Sequence, residues 1–205
     1  MTISLNNVGK RFNYDWIFRG VSHTFSDKQQ YAILGPNGSG KSTLLQVISG
    51  HQQHNKGEIA YTLNGAVLEQ DNLFRYSAIA APYLELIEEF TLQETFDFHQ
   101  TFKSFLPGYT PRQIMEIVGL DKAVNKQVRN FSSGMKQRAK LALAIFSNVP
   151  LLLLDEPCTN LDAAGTALYR SMINDYCMDR MVIVSSNDPQ EYDFCQHTIS
   201  ITDYK

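Results

Sequence analysis

The stretch that decides the fold is Gly35-Pro-Asn-Gly-Ser-Gly-Lys-Ser-Thr43. An apolar run at 31–34 precedes it, and apolar residues at helical spacing within 44–48 follow it. A glycine-rich turn between a buried strand and a helix is the P-loop pattern, which binds phosphate through backbone N–H groups and the positive end of the helix dipole. A chance match is expected in on the order of one chain in a hundred of this size. The sequence therefore predicts a phosphate-binding loop in a strand–loop–helix setting.

Each residue type in this loop has a chemical reason. The glycines let the backbone approach phosphate oxygens without obstruction by a Cβ atom. We expect the Lys41 ammonium to reach the β- and γ-phosphates, the Ser42 hydroxyl to ligate Mg²⁺, and Thr43 to contact the α-phosphate. ATP with Mg²⁺ is therefore the predicted ligand. The predicted nucleotide-binding residues of the loop are Gly35, Pro36, Asn37, Gly38, Ser39, Gly40, Lys41, Ser42 and Thr43.

Composition sets limits on the rest of the chain. With 205 residues and 43% hydrophobic content, the sequence suits a single domain over 1–205. Lys and Arg (18) are fewer than Asp and Glu (21), so no nucleic-acid partner is expected. Three cysteines without zinc or redox spacing are typical of reduced thiols in a cytosolic protein. No signal-peptide pattern opens the sequence, and its apolar runs are too short to span a bilayer, so we expect any action at a membrane to need docking onto another chain.

Strands and helices alternate along most of the chain, which argues for a parallel sheet covered on both faces. A helical block interrupts the alternation between about 82 and 148, and cap signals mark the starts of its helices. The predicted strands are 2–8, 21–25, 31–34, 59–63, 77–80, 151–154, 181–185 and 198–201. Five helices are predicted. The first starts at Gly40 and ends at Gly50, and the other four run from Thr91 through Phe105, from Thr110 through Val118, from Ser132 or Ser133 through Phe146, and over 163–176.

Two carboxylates, Asp155-Glu156, follow the apolar run 151–154. The carboxyl ends of strands in an open α/β sheet are where ligands bind. We expect Asp155 to hold Mg²⁺, and Glu156 to orient and deprotonate an attacking water. The plain alternative is an aspartate that caps a turn before Pro157.

Together these motifs resemble those of ABC-type ATPase subunits. The P-loop, Phe131-Ser-Ser-Gly-Met-Lys-Gln-Arg138, Asp155-Glu156 and Thr159-Asn-Leu-Asp162 follow one another in the order of that family, and the resemblance covers essentially the whole chain. It implies an α/β fold of the P-loop NTPase type. The implied parts are a mostly parallel core sheet, an N-terminal antiparallel β subdomain and an inserted helical subdomain at approximately 83–148.

The resemblance also implies roles for further residues. Phe12 occupies the place of the aromatic that stacks on adenine, with Tyr14 as a nearby rival and a half-buried strand aromatic as the plain alternative. Ser132 and Gly134 match the signature residues that contact the γ-phosphate of ATP held by the opposite subunit, although Ser132 is also an ordinary helix cap. Asp162 matches the loop that communicates between the two sites. The implied assembly is therefore a homodimer, or a pair of ATPase subunits, that forms on ATP binding.

The family pattern is broken at the signature and after the strand 77–80. Ser133 replaces the first of two adjacent glycines, and Met135 replaces the usual glutamine. The glutamine expected after the strand is replaced by Pro82, which has no side-chain donor or metal ligand. Gln70 is a weak substitute because it comes early in the chain.

The histidine expected after the strand 181–185 is replaced by Asn187. Asparagine can hydrogen-bond to a phosphate but cannot carry a positive charge. The nearest histidine, His197, comes after the next predicted helix. With Glu156 as base and Asn187 in the histidine's place, we expect MgATP to bind and hydrolysis to be slow.

The resemblance implies an ATPase that drives a separate integral membrane permease, with export slightly favoured, located in the cytoplasm on the inner face of the cell membrane. The segment Tyr83-Leu-Glu-Leu-Ile-Glu-Glu-Phe90 and the phenylalanine-rich helix after it lie where family members receive the permease. The four phenylalanines at 96, 98, 102 and 105 cover more than one helix face, so they cannot all be core. The alternatives are a regulatory scaffold that binds ATP with little turnover and a soluble ABC ATPase without a transport role.

Overall fold

The computed structural model describes every residue from Met1 to Lys205 and consists of two sheets and six helices. The strands are β1 (Thr2–Phe12), β2 (Asp15–Phe25), β3 (Gln30–Leu34), β4 (Lys56–Leu63), β5 (Ala66–Leu68), β6 (Ser77–Ala80), β7 (Leu151–Asp155), β8 (Met181–Ser185) and β9 (His197–Ser200). The helices are α1 (Lys41–Ile48), α2 (Leu92–Gln100), α3 (Pro111–Ile117), α4 (Ser133–Ile145), α5 (Ala163–Tyr176) and α6 (Pro189–Tyr192).

The central sheet has five strands in the order β6-β7-β8-β3-β9, and every neighbouring pair is parallel. Alternate residues of its middle strands face two separate cores, because side chains of a strand point to opposite faces. In β7, Leu151 and Leu153 pack into one core, whereas Leu152 and Leu154 pack into the other. Both faces of the sheet are therefore covered, as the alternation of strands and helices predicted.

The second sheet is antiparallel, with the order β2-β1-β4-β5. Its apolar face, including Val8, Phe18 and Phe25, shares a core with Leu44 and Ile48 of α1. The predicted α/β fold with a parallel core sheet and an N-terminal antiparallel part is thus confirmed. The strands β1, β2 and β4 are longer than predicted, and β5 was not predicted, because its exposed residues lack an alternating pattern.

Helices α2, α3 and α4 lie between β6 and β7 in the chain, and their cap signals predicted their starts correctly. Thr91 and Thr110 each form a capping box, and Ser132 rather than Ser133 caps α4. Helix α5 has the predicted bounds of 163–176. The limits of the helical subdomain, 83–148, stay a prediction.

The predicted continuation of α2 through Phe105 is wrong, because the helix ends at Gln100. The Thr101 hydroxyl donates a 2.7 Å hydrogen bond to the Phe98 carbonyl. This side-chain bond occupies a backbone acceptor in the last turn of the helix. The chain then turns, and Phe105 enters the core beside Phe96 while Phe98 and Phe102 remain exposed. The expectation that the four phenylalanines cannot all be core is confirmed. No helix of the chain combines the length and the apolarity that crossing a bilayer requires.

Candidate nucleotide site

The predicted phosphate-binding, metal-binding and catalytic residues come from three segments at the carboxyl ends of the parallel strands. The P-loop follows β3, the pair Asp155-Glu156 ends β7, and Asn187 follows β8. Strand β8 lies between β7 and β3, and Asp155 is in register with Ser185. The fold therefore brings the three motifs together, as expected for the carboxyl ends of parallel strands.

The backbone of the P-loop needs glycine at its two ends. Gly35 has φ +151° and Gly40 has φ +101°, which L side chains rarely adopt. A Cβ atom at Gly40 would lie 2.5 Å from Ile17 Cγ2, and one at Gly35 would lie 2.6 Å from Ile201 Cγ2. Gly40 is also the N-cap of α1 and no side chain caps that helix, so its first N–H groups are available to an anion.

Lys41 places a buried cation inside this loop. Its Nζ donates hydrogen bonds to the Gly35 carbonyl at 2.8 Å and to the Pro36 carbonyl at 3.4 Å. A cavity of about 200 Å³ opens beside it, lined by Lys41, Ser42 and Glu156 among others. The loop therefore combines a fixed positive charge with a helix N-terminus, which is a binding arrangement for phosphate.

Asp155 fits the role of a cation ligand. Burial raises the pKa of its carboxyl, and the neighbouring Ser185 and Ser42 hydroxyls lower it. The charge of Glu156 raises this pKa further, and the charge of Lys41 lowers it. Asp155 Oδ1 is buried without a hydrogen-bond partner. An unpaired buried carboxylate oxygen beside a serine hydroxyl offers the hard oxygen donors that Mg²⁺ prefers.

Glu156 has a left-handed backbone conformation, with φ +44°. Such a conformation costs a residue with a Cβ atom about 1 to 2 kcal/mol, and it is found preferentially at functional sites. The Glu156 N–H donates a 2.8 Å hydrogen bond to the Ser185 carbonyl and so anchors the turn to β8. Glu156 lines the P-loop cavity and also a neighbouring cavity of about 590 Å³. The turn thus directs this carboxylate into the space beside the phosphate loop.

Asn187 lies against the phosphate loop, where the family pattern has its histidine. Its Nδ2 donates a 2.8 Å hydrogen bond to Asn37 Oδ1. His197 cannot replace it, because His197 pairs with Tyr31 at the start of β9 and contacts Gln29, at the opposite end of the parallel strands.

Tyr83 and Gln46 are site neighbours that the sequence reasoning missed. Burial raises the pKa of the Tyr83 hydroxyl, the neighbouring Gln46 side chain lowers it, and the charge of Asp155 raises it. Tyr83 thus lies within electrostatic reach of Asp155 although Pro82 holds the expected glutamine position. Gln70 is no substitute, because its Nε2 lies 3.5 Å from the Gly50 carbonyl, beyond the far end of α1. The family pattern that expects a glutamine at Pro82 points to this segment, but a tyrosine one residue later gives no motif signal.

The signature residues lie outside both cavities of their own chain. Ser132 Oγ accepts a 3.2 Å hydrogen bond from the Met135 N–H and so caps α4. A Cβ atom at Gly134 would lie 3.2 Å from the Asn160 carbonyl, so the signature turn packs against the loop after β7. In that loop, Asp162 caps α5 by accepting a 2.8 Å hydrogen bond from the Gly165 N–H, and it lines the 590 Å³ cavity.

Phe12 ends β1 with a half-exposed ring, and Tyr14 is almost fully exposed in the following turn. The buried Lys10 ammonium lies 4.7 Å from the centroid of the Phe12 ring. Neither aromatic lines the two cavities. The adenine-stacking role of Phe12 therefore stays a prediction.

This arrangement of strand ends and loops defines the class of protein, a P-loop nucleotide-binding domain with an added antiparallel sheet. The particular family follows from comparison with known proteins. A family model described as ABC transporter matches residues 18–159, more than two thirds of the chain. The chain belongs to the ABC transporter family.

Relatives in sequence carry different transport descriptions. The chain is 32% identical over 165 residues to the spermidine/putrescine import ATP-binding protein of Mycoplasma capricolum, covering 78% of this chain and 46% of that protein. It is 28% identical over 190 residues to the lantibiotic transport ATP-binding protein of Streptococcus pyogenes, covering 90% of this chain and 79% of that protein. The chain thus spans about half the length of the first of these relatives.

Solved structures share the fold. A dimeric ATP-binding cassette in a post-hydrolysis state, bound to ADP and Pi, has a TM-score of 0.79 and 22% identity, with 97% of this chain and 93% of that chain covered. A putative ABC transporter ATP-binding protein from Pyrococcus furiosus has a TM-score of 0.81 and 20% identity, with full coverage of both chains. At these identities the likeness concerns the fold.

Proposed function

We propose that the chain binds and hydrolyses MgATP and drives a separate membrane permease. The observation that carries the proposal is the convergence of Lys41, Asp155 and Glu156 at the carboxyl ends of the parallel strands: Lys41 and Glu156 line the P-loop cavity, and Asp155 lies within electrostatic reach of both. A structural turn has no need of a buried cation, a neighbouring carboxylate oxygen without a hydrogen-bond partner and a glutamate with a strained backbone. Relatives described as import or transport ATP-binding proteins agree with this role.

In the proposed mechanism, residues 35–43 hold the triphosphate with their backbone N–H groups, and Lys41 leaves the loop carbonyls to contact the β- and γ-phosphates. Ser42 and Asp155 would hold Mg²⁺, which would supply positive charge to neutralise the phosphates. Glu156 accepts a proton from the attacking water and orients it in line with the scissile bond. Phe12 stacks on the adenine.

The proposed active form is a dimer, either of two copies or of this chain with a second ATPase subunit. Ser132 and Gly134 lie outside the phosphate cavity of their own chain, and α4 begins there with an N-terminus that suits an anion. In the dimer they complete the site of the opposite subunit, and Asp162 links the two sites. The dimeric cassette with ADP and Pi among the structures of this fold agrees with such an assembly.

The proposed permease contact is the groove between the segment 83–90 and α2. Two adjoining cavities of about 220 and 190 Å³ share Glu85, Leu86, His99 and Leu143. Phe98 and Phe102 stand exposed at this groove, which is unfavourable in water and suits a protein contact. We place the protein in the cytoplasm, on the inner face of the cell membrane, and retain the slight preference for export.

We also propose that hydrolysis is slower than in family members with the usual histidine, because Asn187 cannot offer a positive charge to the γ-phosphate. The same substitution, with Pro82, favours the second candidate, a regulatory scaffold that binds ATP with little turnover. Phosphate release by the tagged chain, purified from solubilised membranes of its source cell, separates the two. Co-purification of an integral membrane protein with turnover favours the transport ATPase. Tight ATP binding without turnover in that complex favours the scaffold, and the absence of any membrane partner counts against transport.

A further inference from the structure

A buried carboxylate, Glu191, lies between the two loops that carry the proposed catalytic groups. It belongs to the short helix α6, and the residue is only 4% exposed. Its Oε1 accepts a 2.6 Å hydrogen bond from the Cys158 N–H. A short hydrogen bond between a backbone N–H and a carboxylate is among the stronger ones in proteins. Glu191 therefore ties α6 to the segment just after Glu156.

The backbone of α6 is held in place independently of this side chain. The buried Tyr169 hydroxyl donates a 2.8 Å hydrogen bond to the Glu191 carbonyl. Asp188 caps the helix by accepting a hydrogen bond from the Gln190 N–H. The Glu191 backbone is thus tied to α5, while its carboxylate holds the Cys158 N–H.

The charges around this carboxylate show what its burial involves. Burial raises the pKa of Glu191, and the neighbouring Ser186 hydroxyl and the Cys158 N–H lower it. The charges of Asp188 and Glu156 raise it further. A carboxylate held in this setting is costly unless its hydrogen bonds are made. The fold thus keeps the hydrogen-bonded Glu191 carboxylate at a buried place where an apolar side chain would avoid the cost of desolvating a charge.

The hydrogen bond between Glu191 and the Cys158 N–H connects two segments of the site. Cys158 lies between Glu156 and the Asp162 loop, and Ser186 directly precedes Asn187. Glu156, Asp162, Asn187 and Glu191 all line the same 590 Å³ cavity. The Cys158 N–H that Glu191 binds therefore lies two residues after Glu156 and four residues before Asp162.

We propose that Glu191 is a positioning residue, whose hydrogen bond to the Cys158 N–H fixes the backbone that carries Glu156. This inference rests on the proposed ATPase function. Glu191 lines no part of the P-loop cavity, so it acts through the loop after β7 and leaves ATP binding to other residues. Small displacements of catalytic groups lower kcat strongly, whereas ground-state binding is less sensitive.

The test uses three substitutions in the full chain. Glu191→Ala removes the acceptor, Glu191→Asp keeps the charge but shortens the reach by one methylene, and Glu191→Gln keeps the reach without the charge. We expect Ala and Asp to lower kcat by about tenfold or more with KM for ATP within about twofold, and Gln to retain most of kcat. Wild-type kcat in the Asp variant together with loss in the Gln variant would assign the effect to charge and overturn the inference. If the Ala variant fails to fold, the Asp and Gln variants still decide.

Hydrogen exchange at the Cys158 amide gives a readout that needs no activity. Ala and Asp at position 191 should speed this exchange about tenfold or more, because the amide loses its acceptor. The matched control is Ser77→Ala, which removes another buried hydrogen bond, from Ser77 Oγ to the Leu73 carbonyl, at the opposite end of the sheet. It should lower Tm without changing kcat or Cys158 exchange. If the wild-type protein shows no turnover, the proposed function is overturned. If Glu191→Ala and Glu191→Asp leave both turnover and Cys158 exchange unchanged, only this inference is overturned.

Discussion

Asn187 is joined directly to the phosphate loop, because its Nδ2 donates a 2.8 Å hydrogen bond to Asn37 Oδ1. The two residues are 150 positions apart in the chain, and the parallel neighbours β8 and β3 bring them together. The position that departs from the family pattern is thus part of the site. An amide in this place supplies a neutral donor where a histidine could supply a positive charge.

The first prediction concerns this substitution. Asn187→His should raise kcat for ATP by about tenfold or more, because a cationic donor stabilises the negative charge that develops on the γ-phosphate. The KM for ATP should change little. Phosphate release measured at saturating MgATP tests it, and an unchanged or lower kcat would show that the slow step lies elsewhere.

The second prediction concerns the base. Glu156→Gln should lower kcat by about a hundredfold or more while MgATP binding is retained, and it should trap an ATP-bound dimer. Size-exclusion chromatography with and without ATP detects the dimer. Glu69→Gln, at an exposed glutamate outside both cavities, is the matched control. Hydrolysis that survives Glu156→Gln would assign the base to another residue.

The third prediction concerns the shape of the P-loop. Gly40→Ala should abolish ATP binding, because its Cβ would lie 2.5 Å from Ile17 Cγ2 and would displace the loop. Gly108→Ala is a strain-matched control, since Gly108 also has a positive φ (+86°) but faces open space. Both variants should lose about 1 kcal/mol of stability from backbone strain. ATP binding that is equal in the two variants would mean that the contact with Ile17 has no effect.

The fourth prediction concerns pH. Burial and the charge of Lys103 lower the pKa of His99 to about 4 in the folded protein, from an ordinary 6.5. Below pH 6.5 the unfolded chain therefore binds a proton that the folded chain does not, and the free energy of unfolding falls as pH drops from 6.5 towards 4. Between pH 7 and pH 5 wild type should lose roughly 1 to 2 kcal/mol more than His99→Gln. Chemical denaturation at both pH values measures it, and equal losses would contradict the assignment to His99.

Much of the fold was predictable because its signals are local. The Thr91 and Thr110 capping boxes and the apolar runs of β7 and β8 each follow from a few adjacent residues. The spacing of Phe105 fits a continuation of α2, but the helix ends earlier. Its end is set by the packing of Phe105 against Phe96 and by the hydrogen bond from the Thr101 hydroxyl to the Phe98 carbonyl. Periodicity does not detect such effects.

The candidate site likewise contains residues that local motifs predict and residues that only tertiary contacts bring in. The P-loop and the Asp155-Glu156 pair are contiguous motifs, so the sequence located them and the sheet brought them together. The electrostatic influence of Asp155 on Tyr83, and the hydrogen bond of Glu191 to the Cys158 N–H, depend on segments that meet only in the folded chain. No spacing rule predicts such contacts.

The central claim is that residues 35–43 bind MgATP for hydrolysis, and paired measurements on wild type and Lys41→Ala test it most directly. Calorimetric titration with ATP in Mg²⁺, followed by phosphate release, should give binding and turnover for wild type and a loss of both for Lys41→Ala, because the buried ammonium is replaced by a methyl group. Lys122→Ala, at an exposed lysine, should behave as wild type. Wild type that binds no ATP, or a Lys41→Ala variant that binds and hydrolyses it as wild type does, would contradict the account.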